Sequence, residues 1–198
     1  MMKKKILLPI LSIVIMAVMV LSITLATADI ANKNAQEEHL WVMQTLLPGS
    51  ENFTVEPYSG EDTNIRSGHK GETGFVIETA TQGYAGEIVM LIGVSKEGKV
   101  TGLTIRDMQE TAGLGMSAMW DEMFLAQFLN TKGGVAIGTA GADAFSGATG
   151  SDTTETEVYV DGISGATVTS KAIARCVNSA VAYVTGADID SGATSWGG

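Results

Sequence analysis

The chain has 198 residues, 45% of them hydrophobic and 17% charged, a composition that admits one domain of ordinary size with a full core and one further apolar segment. Its formal net charge of −10 argues against nucleic acid as a partner and against peripheral adhesion to an anionic membrane surface. Cys176 is the single cysteine, which excludes an internal disulfide and any cysteine-based metal cluster held by this chain alone.

No charged residue occurs from Ile6 to Ala28. As a helix that stretch spans roughly 34 Å, against about 30 Å of bilayer hydrocarbon. Lys3, Lys4 and Lys5 precede it, and a basic cluster beside a first apolar segment stays in the cytoplasm. The pattern predicts a single transmembrane helix with the N-terminus cytoplasmic and the rest of the chain extracytoplasmic, in the cell membrane. A cleaved signal peptide competes with this reading, because Ala26, Thr27 and Ala28 form an A-x-A-like site. The apolar run exceeds the roughly 7–15 residues of a signal peptide's apolar region, which favours a retained anchor. Nine of the twelve basic residues and all 22 acidic ones follow the basic cluster, a formal charge of −13 on the exported part.

Leu40, Met43, Leu46 and Leu47 recur at helical spacing until Pro48 and Gly49 end the pattern, which predicts a short amphipathic stalk helix from about Asp29 to Leu47. The run 49–73 is rich in Gly, Ser, Glu and Asp and reads as loop or irregular strand. Phe75 to Ala80 and Ile88 to Val94 are β-branched and apolar, and Leu103 and Ile105 alternate with Thr104 and Arg106 after a turn at Lys96–Gly98. These three runs predict a twisted antiparallel sheet. Met116, Met119, Trp120, Met123, Phe124 and Phe128 fall on one broad helical face, predicted to face the core. The run 133–150 reads as an extended loop, 156–160 as a strand, and Val168 to Val184 as a helix stopped by Gly186. Cys176 lies near the buried face of that helix and reads as a small core residue. The fold class is therefore α+β: a single transmembrane helix, then one extracytoplasmic domain with a twisted antiparallel sheet and helices packed on one side.

Chemistry concentrates in D-G-I-S-G-A-T, Asp161 to Thr167. A strand precedes it and a helix follows, so Thr167 falls at a helix N-terminus, where free N–H groups and the positive end of the helix dipole favour a phosphate. Thr169 and Ser170 offer hydroxyl donors, Lys171 a charge, and Gly165 and Ala166 room for close approach to the backbone. On physics alone, a plain N-cap accounts for such a helix start as well. D-x-x-S-G-A-T also occurs at Asp143 to Thr149 and at Asp188 to Thr194. Neither of those copies is followed by a periodic helix, which singles out Thr167. No catalytic triad, paired-carboxylate motif or metal-ligand spacing is present, and His39 and His69 stand apart in sequence, so no catalytic and no metal-binding residue is assigned.

The pattern D-x-x-S/T-G-A-T at Asp161, Ser164, Gly165, Ala166 and Thr167 resembles the flavinylation motif of the FMN-binding domains in the G subunit of Rnf complexes and the C subunit of sodium-pumping NADH:quinone reductases. Two further runs carry the resemblance: Gly83-Tyr84-Ala85-Gly86-Glu87-Ile88, similar to that family's G-Y-x-G-x-I, and Glu110 to Gly115, E-T-A-G-L-G against E-T-P-G-L-G. Ala112 stands where the family usually has Pro, which loosens a turn and removes no polar group.

The resemblance implies covalent FMN on Thr167 through a phosphodiester, attached by a flavin transferase that reads the motif from Asp161. Ser164, Gly165, Ala166, Thr169 and Ser170 would surround the phosphate, and Glu110, Thr111, Leu114 and Gly115 would contact the isoalloxazine ring. It further implies an electron-relay subunit of an ion-translocating ferredoxin:NAD oxidoreductase, working with other subunits of that membrane complex and with no independent catalytic activity. At 198 residues the chain suits the Rnf subunit better than the longer quinone-reductase subunit. The alternatives are an FMN-carrying subunit of a sodium-pumping NADH:quinone reductase or another flavinylated respiratory complex, and a cofactor-free anchored surface protein. The resulting division is 1–28 basic tip and anchor, 29–48 stalk, 49–186 FMN-binding domain and 187–198 flexible tail.

Overall fold

Three consecutive runs of β-branched and aliphatic residues, joined by short polar turns, form neighbouring strands at one end of an antiparallel sheet in the computed structural model. The structure describes residues 2–138 and 158–187, with side chains described at 13–24, 33–138 and 158–187. Strands β1 (Thr54–Glu56), β2 (Ile65–Lys70), β3 (Gly74–Gln82), β4 (Glu87–Ser95) and β5 (Val100–Met108) pair antiparallel in sequence order. The β4–β5 turn relies on Gly98 at φ +76°, a backbone conformation that glycine adopts without a Cβ penalty. The run 49–73 thus supplies two short strands. β2 pairs with β3 through Gly68↔Ile77 and Lys70↔Phe75, and a bulge between Ile65 and Ser67 obscures its alternation.

Side chains alternate across a strand, so β4 serves two layers. Ile88, Met90, Ile92 and Val94 join the main core with Ile77, Ile105, Phe124, Phe128, Ile173 and Val177. Helix α3 (Thr167–Thr185) lies on this face, against β3 and β4, and ends at Gly186 with φ +66°. The C-terminal end of α3 is pinned by Tyr183, whose ring centroid is 5.6 Å from that of Tyr58 and 5.9 Å from that of Phe75. Cys176 is fully buried on the same helix, and burial pushes its thiol up to about 11, so it stays neutral.

The opposite face is closed at one end by the last turn of helix α1 (Met2–Leu46). Gly93 and Gly102 sit opposite each other on β4 and β5, and a Cβ at Gly93 would come within 2.8 Å of Thr101 Oγ1 and would overlap the Leu46 carbonyl. The paired glycines therefore make a notch for the helix end, and Thr101 Oγ1 donates to Leu46 O at 2.6 Å. Ser50 and Thr73 hydroxyls bond at 2.9 Å, and Glu72 accepts from the N–H groups of Glu51 and Asn52, which fixes the turn that follows.

The chain divides into two compact units, Met1–Val42 and Met43–Gly198. Large apolar side chains from Ile13 to Ile23 are exposed, from 51% at Val14 to 69% at Met16. Among the described residues no helix is long and apolar enough to cross a membrane. The predicted anchor, Ile6 to Ala28, lies partly outside the described side chains.

The predicted single helical face at 116–128 is corrected. A 3₁₀ turn over Gly115–Met119 gives way to helix α2 (Glu122–Ala126), because the Asp121 carboxylate accepts from Phe124 N at 2.9 Å and starts a new helix there. Phe124 and Phe128 enter the core in edge-to-face contact at 5.3 Å, whereas Trp120 and Met123 are turned out, 78% and 84% exposed. The expected loop at 133–150 also contains a strand: β6 (Val135–Ile137) runs parallel to β7 (Val158–Val160).

Candidate functional site at the N-terminus of α3

β7 delivers the chain to Asp161, and six residues later α3 begins at Thr167. The turn between them is tied at each step. Gln127 Oε1 accepts from Asp161 N at 2.9 Å and Gln127 Nε2 donates to Asp161 O at 3.3 Å. Ile163 N donates to Ser170 Oγ at 3.0 Å, and Ala166 N donates to Ile163 O at 2.9 Å. Gly165 turns the chain into the helix at φ +76°, where any other residue costs about 1 kcal/mol or more.

Thr167 is exposed, the first residue of α3, and Ala166 before it provides no side-chain cap. The first-turn N–H groups of a nineteen-residue helix are left for an external acceptor. The side chains beyond Thr167 divide their roles. Ser170 is fully buried, donates to Ala166 O at 3.0 Å and accepts from Ile163 N, so its hydroxyl is taken up in shaping the turn. In this structure the Ser170 hydroxyl, expected from the sequence as a phosphate donor, is engaged within the turn. Thr169 is 1% exposed and faces inward. Ser164 and Lys171 flank the turn, the first exposed and the second half-buried.

The three motif runs, far apart in sequence, meet around this turn. Leu114 lies over Gly165, where a Cβ would sit 3.1 Å from Leu114 Cδ2. A Cβ on Gly115 would come within 2.5 Å of Thr169 Oγ1 and 2.9 Å of Glu110 Oε2, so only glycine lets the 110–115 loop close on the start of α3. Glu110, 8% exposed, accepts from Tyr84 N at 2.7 Å and Ala85 N at 3.4 Å through Oε1. The Gly83–Gly86 turn is thus fastened to the Glu110–Gly115 loop, and the loop to α3. Glu110 Oε2 is buried without a hydrogen-bond partner, an acceptor held in reserve beside Gly115 and Thr169. Thr111 and Leu114 are exposed on the outer side of the loop, with Tyr84 exposed at the turn that Glu110 holds.

This arrangement fits an elongated ligand with an anionic end and a flat apolar end. An uncapped helix N-terminus and an exposed hydroxyl suit the phosphate, and an orphaned carboxylate oxygen suits a donor along the ligand's length. Leu114 offers apolar surface beside them. The copies at Asp143–Thr149 and Asp188–Thr194 lie outside the described residues.

Sequence reasoning missed Gln127 and Asn178. Asn178 grips Val135 at both ends of its amide, donating to Val135 O and accepting from Val135 N, each at 3.0 Å. No local pattern marks either residue, since each acts on the backbone of a residue more than thirty positions away.

Among known proteins the chain is 29% identical over 161 residues to the G subunit of the Na(+)-translocating ferredoxin:NAD(+) oxidoreductase complex of Acetobacterium woodii, covering 80% of this chain and 72% of that protein. It is 34% identical over 111 residues to the G subunit of the proton-translocating ferredoxin:NAD(+) oxidoreductase complex of Clostridium ljungdahlii, covering 56% of this chain and 53% of that protein. Among solved structures, the C subunit of the Na(+)-translocating NADH-quinone reductase from Parabacteroides distasonis matches with a TM-score of 0.48 and 20% identity, covering 74% of this chain and 79% of that one. The family model for the FMN-binding domain matches residues 83–182, a span that opens on the Gly83–Gly86 turn, holds the Glu110–Gly115 loop and ends within α3. The chain belongs to the FMN-binding domain family.

Proposed function

We propose that this chain is the electron-relay subunit, of the G type, in a membrane-bound ion-translocating ferredoxin:NAD oxidoreductase, and that it carries FMN as a phosphodiester on Thr167. The observation that carries this reading is the exposed hydroxyl of Thr167 at an uncapped helix start, with Leu114, Gly115 and Glu110 gathered against the same turn. Membership of the FMN-binding family and the names of the two G-subunit relatives support the assignment.

Bound FMN supplies one- and two-electron redox chemistry, and the residues of this chain supply position and environment. Thr167 Oγ forms the covalent tether, and the first-turn N–H groups of α3 hold the phosphate oxygens with help from the helix dipole. Glu110 Oε2 accepts from a donor of the ligand, while Leu114 and Thr111 bound its flat portion. Asp161, Ser164, Gly165 and Ala166 form the segment that a flavin transferase reads during maturation. The apolar stretch of α1 anchors the chain in the membrane, with residues 49–186 forming the extracytoplasmic flavin domain and other members of the complex as electron donor and acceptor.

The test is flavin fluorescence in a denaturing gel after co-expression with the transferase. Wild type is expected to give a fluorescent band that is lost in Thr167→Ala and kept in Thr149→Ala and Thr194→Ala. A dark wild-type band would refute covalent flavin, and fluorescence surviving Thr167→Ala would refute the attachment site.

A further inference from the structure

Two side-chain amides outside the three motifs each hold both the backbone N–H and the backbone C=O of one distant residue. Asn178, on α3, holds Val135 of β6, and β6 pairs with β7 through Val135↔Val158 and Ile137↔Val160. The position of β7 is therefore set from α3 itself. Asp161 is the next residue along the chain, and Gln127 holds its N–H at 2.9 Å and its carbonyl at 3.3 Å.

Gln127 caps the C-terminal end of α2 and stands on the segment that begins with the Glu110–Gly115 loop. That segment touches the turn at both ends, Leu114 at Gly165 and Gln127 at Asp161. Among the described residues, the other hydrogen bonds within the turn come from the turn itself or from α3: Ile163 N to Ser170 Oγ, and Ala166 N to Ile163 O. Gln127 is exposed, and its amide competes with water, so its contribution lies in choosing one turn conformation more than in overall stability. The residue type is specific to the task. The backbone of one residue presents one donor and one acceptor, and a glutamine amide, with one acceptor oxygen and an NH2 donor, answers both.

We propose that Gln127 is a positioning residue for flavin attachment: its two-point clamp on the backbone N–H and C=O of Asp161 sets the turn so that the Thr167 hydroxyl and the Asp161 carboxylate are presented together to the transferase. The inference rests on the covalent reading given above. In the step concerned, a bond forms between Thr167 Oγ and the FMN-side phosphorus of FAD as the pyrophosphate P–O bond breaks. AMP leaves with the bonding electrons, and the hydroxyl proton passes to a base of the transferase. No electron is transferred. Without the clamp, the turn samples arrangements that the transferase does not accept, and the competent fraction falls. A reduced competent fraction weakens apparent affinity and leaves the bound complex unchanged, so the defect appears in KM while kcat is kept.

The experiment follows initial rates of flavin incorporation from FAD into the purified full chain by purified transferase, across a range of chain concentrations. It compares wild type with Gln127→Met, which keeps length and loses both bonds, and Gln127→Glu, whose ionised carboxylate opposes the Asp161 carbonyl. Both variants are expected to raise KM roughly fivefold or more at near wild-type kcat, an effect the size of one or two exposed hydrogen bonds. Their melting temperatures are expected to fall by no more than a few degrees, the shift that losing one or two exposed hydrogen bonds implies. Wild-type KM in Gln127→Met overturns the proposal, and so does a loss that falls on kcat with KM kept. A wild type that incorporates no flavin refutes the covalent reading and the clamp together, whereas a labelled wild type with an unaffected Gln127→Met refutes the clamp alone.

Discussion

Glu110 joins two motifs with one carboxylate, Oε1 on the N–H groups of Tyr84 and Ala85 and Oε2 buried beside Gly115 and Thr169. Glu110→Ala leaves those N–H groups without their acceptor in a part-buried site, and a stranded buried donor costs about 1–3 kcal/mol. Glu110→Gln keeps an oxygen for the Tyr84 and Ala85 contacts. Urea unfolding of the apoprotein is expected to show Glu110→Ala less stable than wild type by about that amount and Glu110→Gln lying between the two. Equal stability of Glu110→Ala and wild type would mean that the Gly83–Gly86 turn does not depend on this carboxylate. Glu110 was legible because it begins a recognisable run, E-T-A-G-L-G. Gln127 and Asn178 were not, because a side-chain amide that holds the backbone of a residue 34 or 43 positions away leaves no periodic trace. Ser170 shows the reverse case: its identity suggested a phosphate donor, and only the bonds to Ala166 and Ile163 show where its hydroxyl is used.

Among the elements, β3, β4, β5 and α3 are legible because each is long and patterned, β3 and β4 as apolar and β-branched runs, β5 by alternation and α3 by a period of 3.6. Of the three-residue strands, β7 is legible within the strand pattern at 156–160, whereas β1 and β6 are too short for a period to declare itself and the run holding β6 reads as loop. The segment 116–128 failed for a different reason. Its apolar residues do recur at helical spacing, but the Asp121 cap restarts the helix, so Phe124 and Phe128 keep the inward face while Trp120 and Met123 lose it. Tertiary ties decide where the short strands lie, and β6 depends on Asn178, which is 8% exposed. Asn178→Leu preserves the side chain's size while leaving both the N–H and the carbonyl of Val135 unpaired in the interior. The expected loss is about 2 kcal/mol or more, read as a lower urea midpoint. Because β7 pairs with β6 and leads into the Thr167 turn, the same variant is expected to incorporate flavin slowly. A stable, normally flavinylated Asn178→Leu would show that β6 and β7 are placed without it.

At the scale of the whole molecule, the apolar stretch within α1 and the acidic remainder of the chain make opposite demands on solvent. Exposed large apolar side chains follow one another from Ile13 to Ile23, and monomeric soluble proteins rarely leave so continuous an apolar surface in water. A helix apolar on all sides is stable where lipid replaces water. The remainder, with nine basic residues against 22 acidic ones, gains nothing from an anionic headgroup layer. Membrane attachment by α1 therefore predicts a particular pattern of extraction. The full chain is expected to stay in the membrane pellet through high salt and alkaline carbonate and to be released only by detergent, because burial of apolar side chains is not screened by salt or reversed by charge. Mass measurement of the membrane-bound chain is expected to give an intact N-terminal segment, since a retained anchor requires that no cut follow Ala28. Release by carbonate would reduce α1 to a peripheral contact. A mature chain beginning at Asp29 would make the apolar stretch a processed leader and leave the flavin domain to be held at the membrane by its partners in the complex.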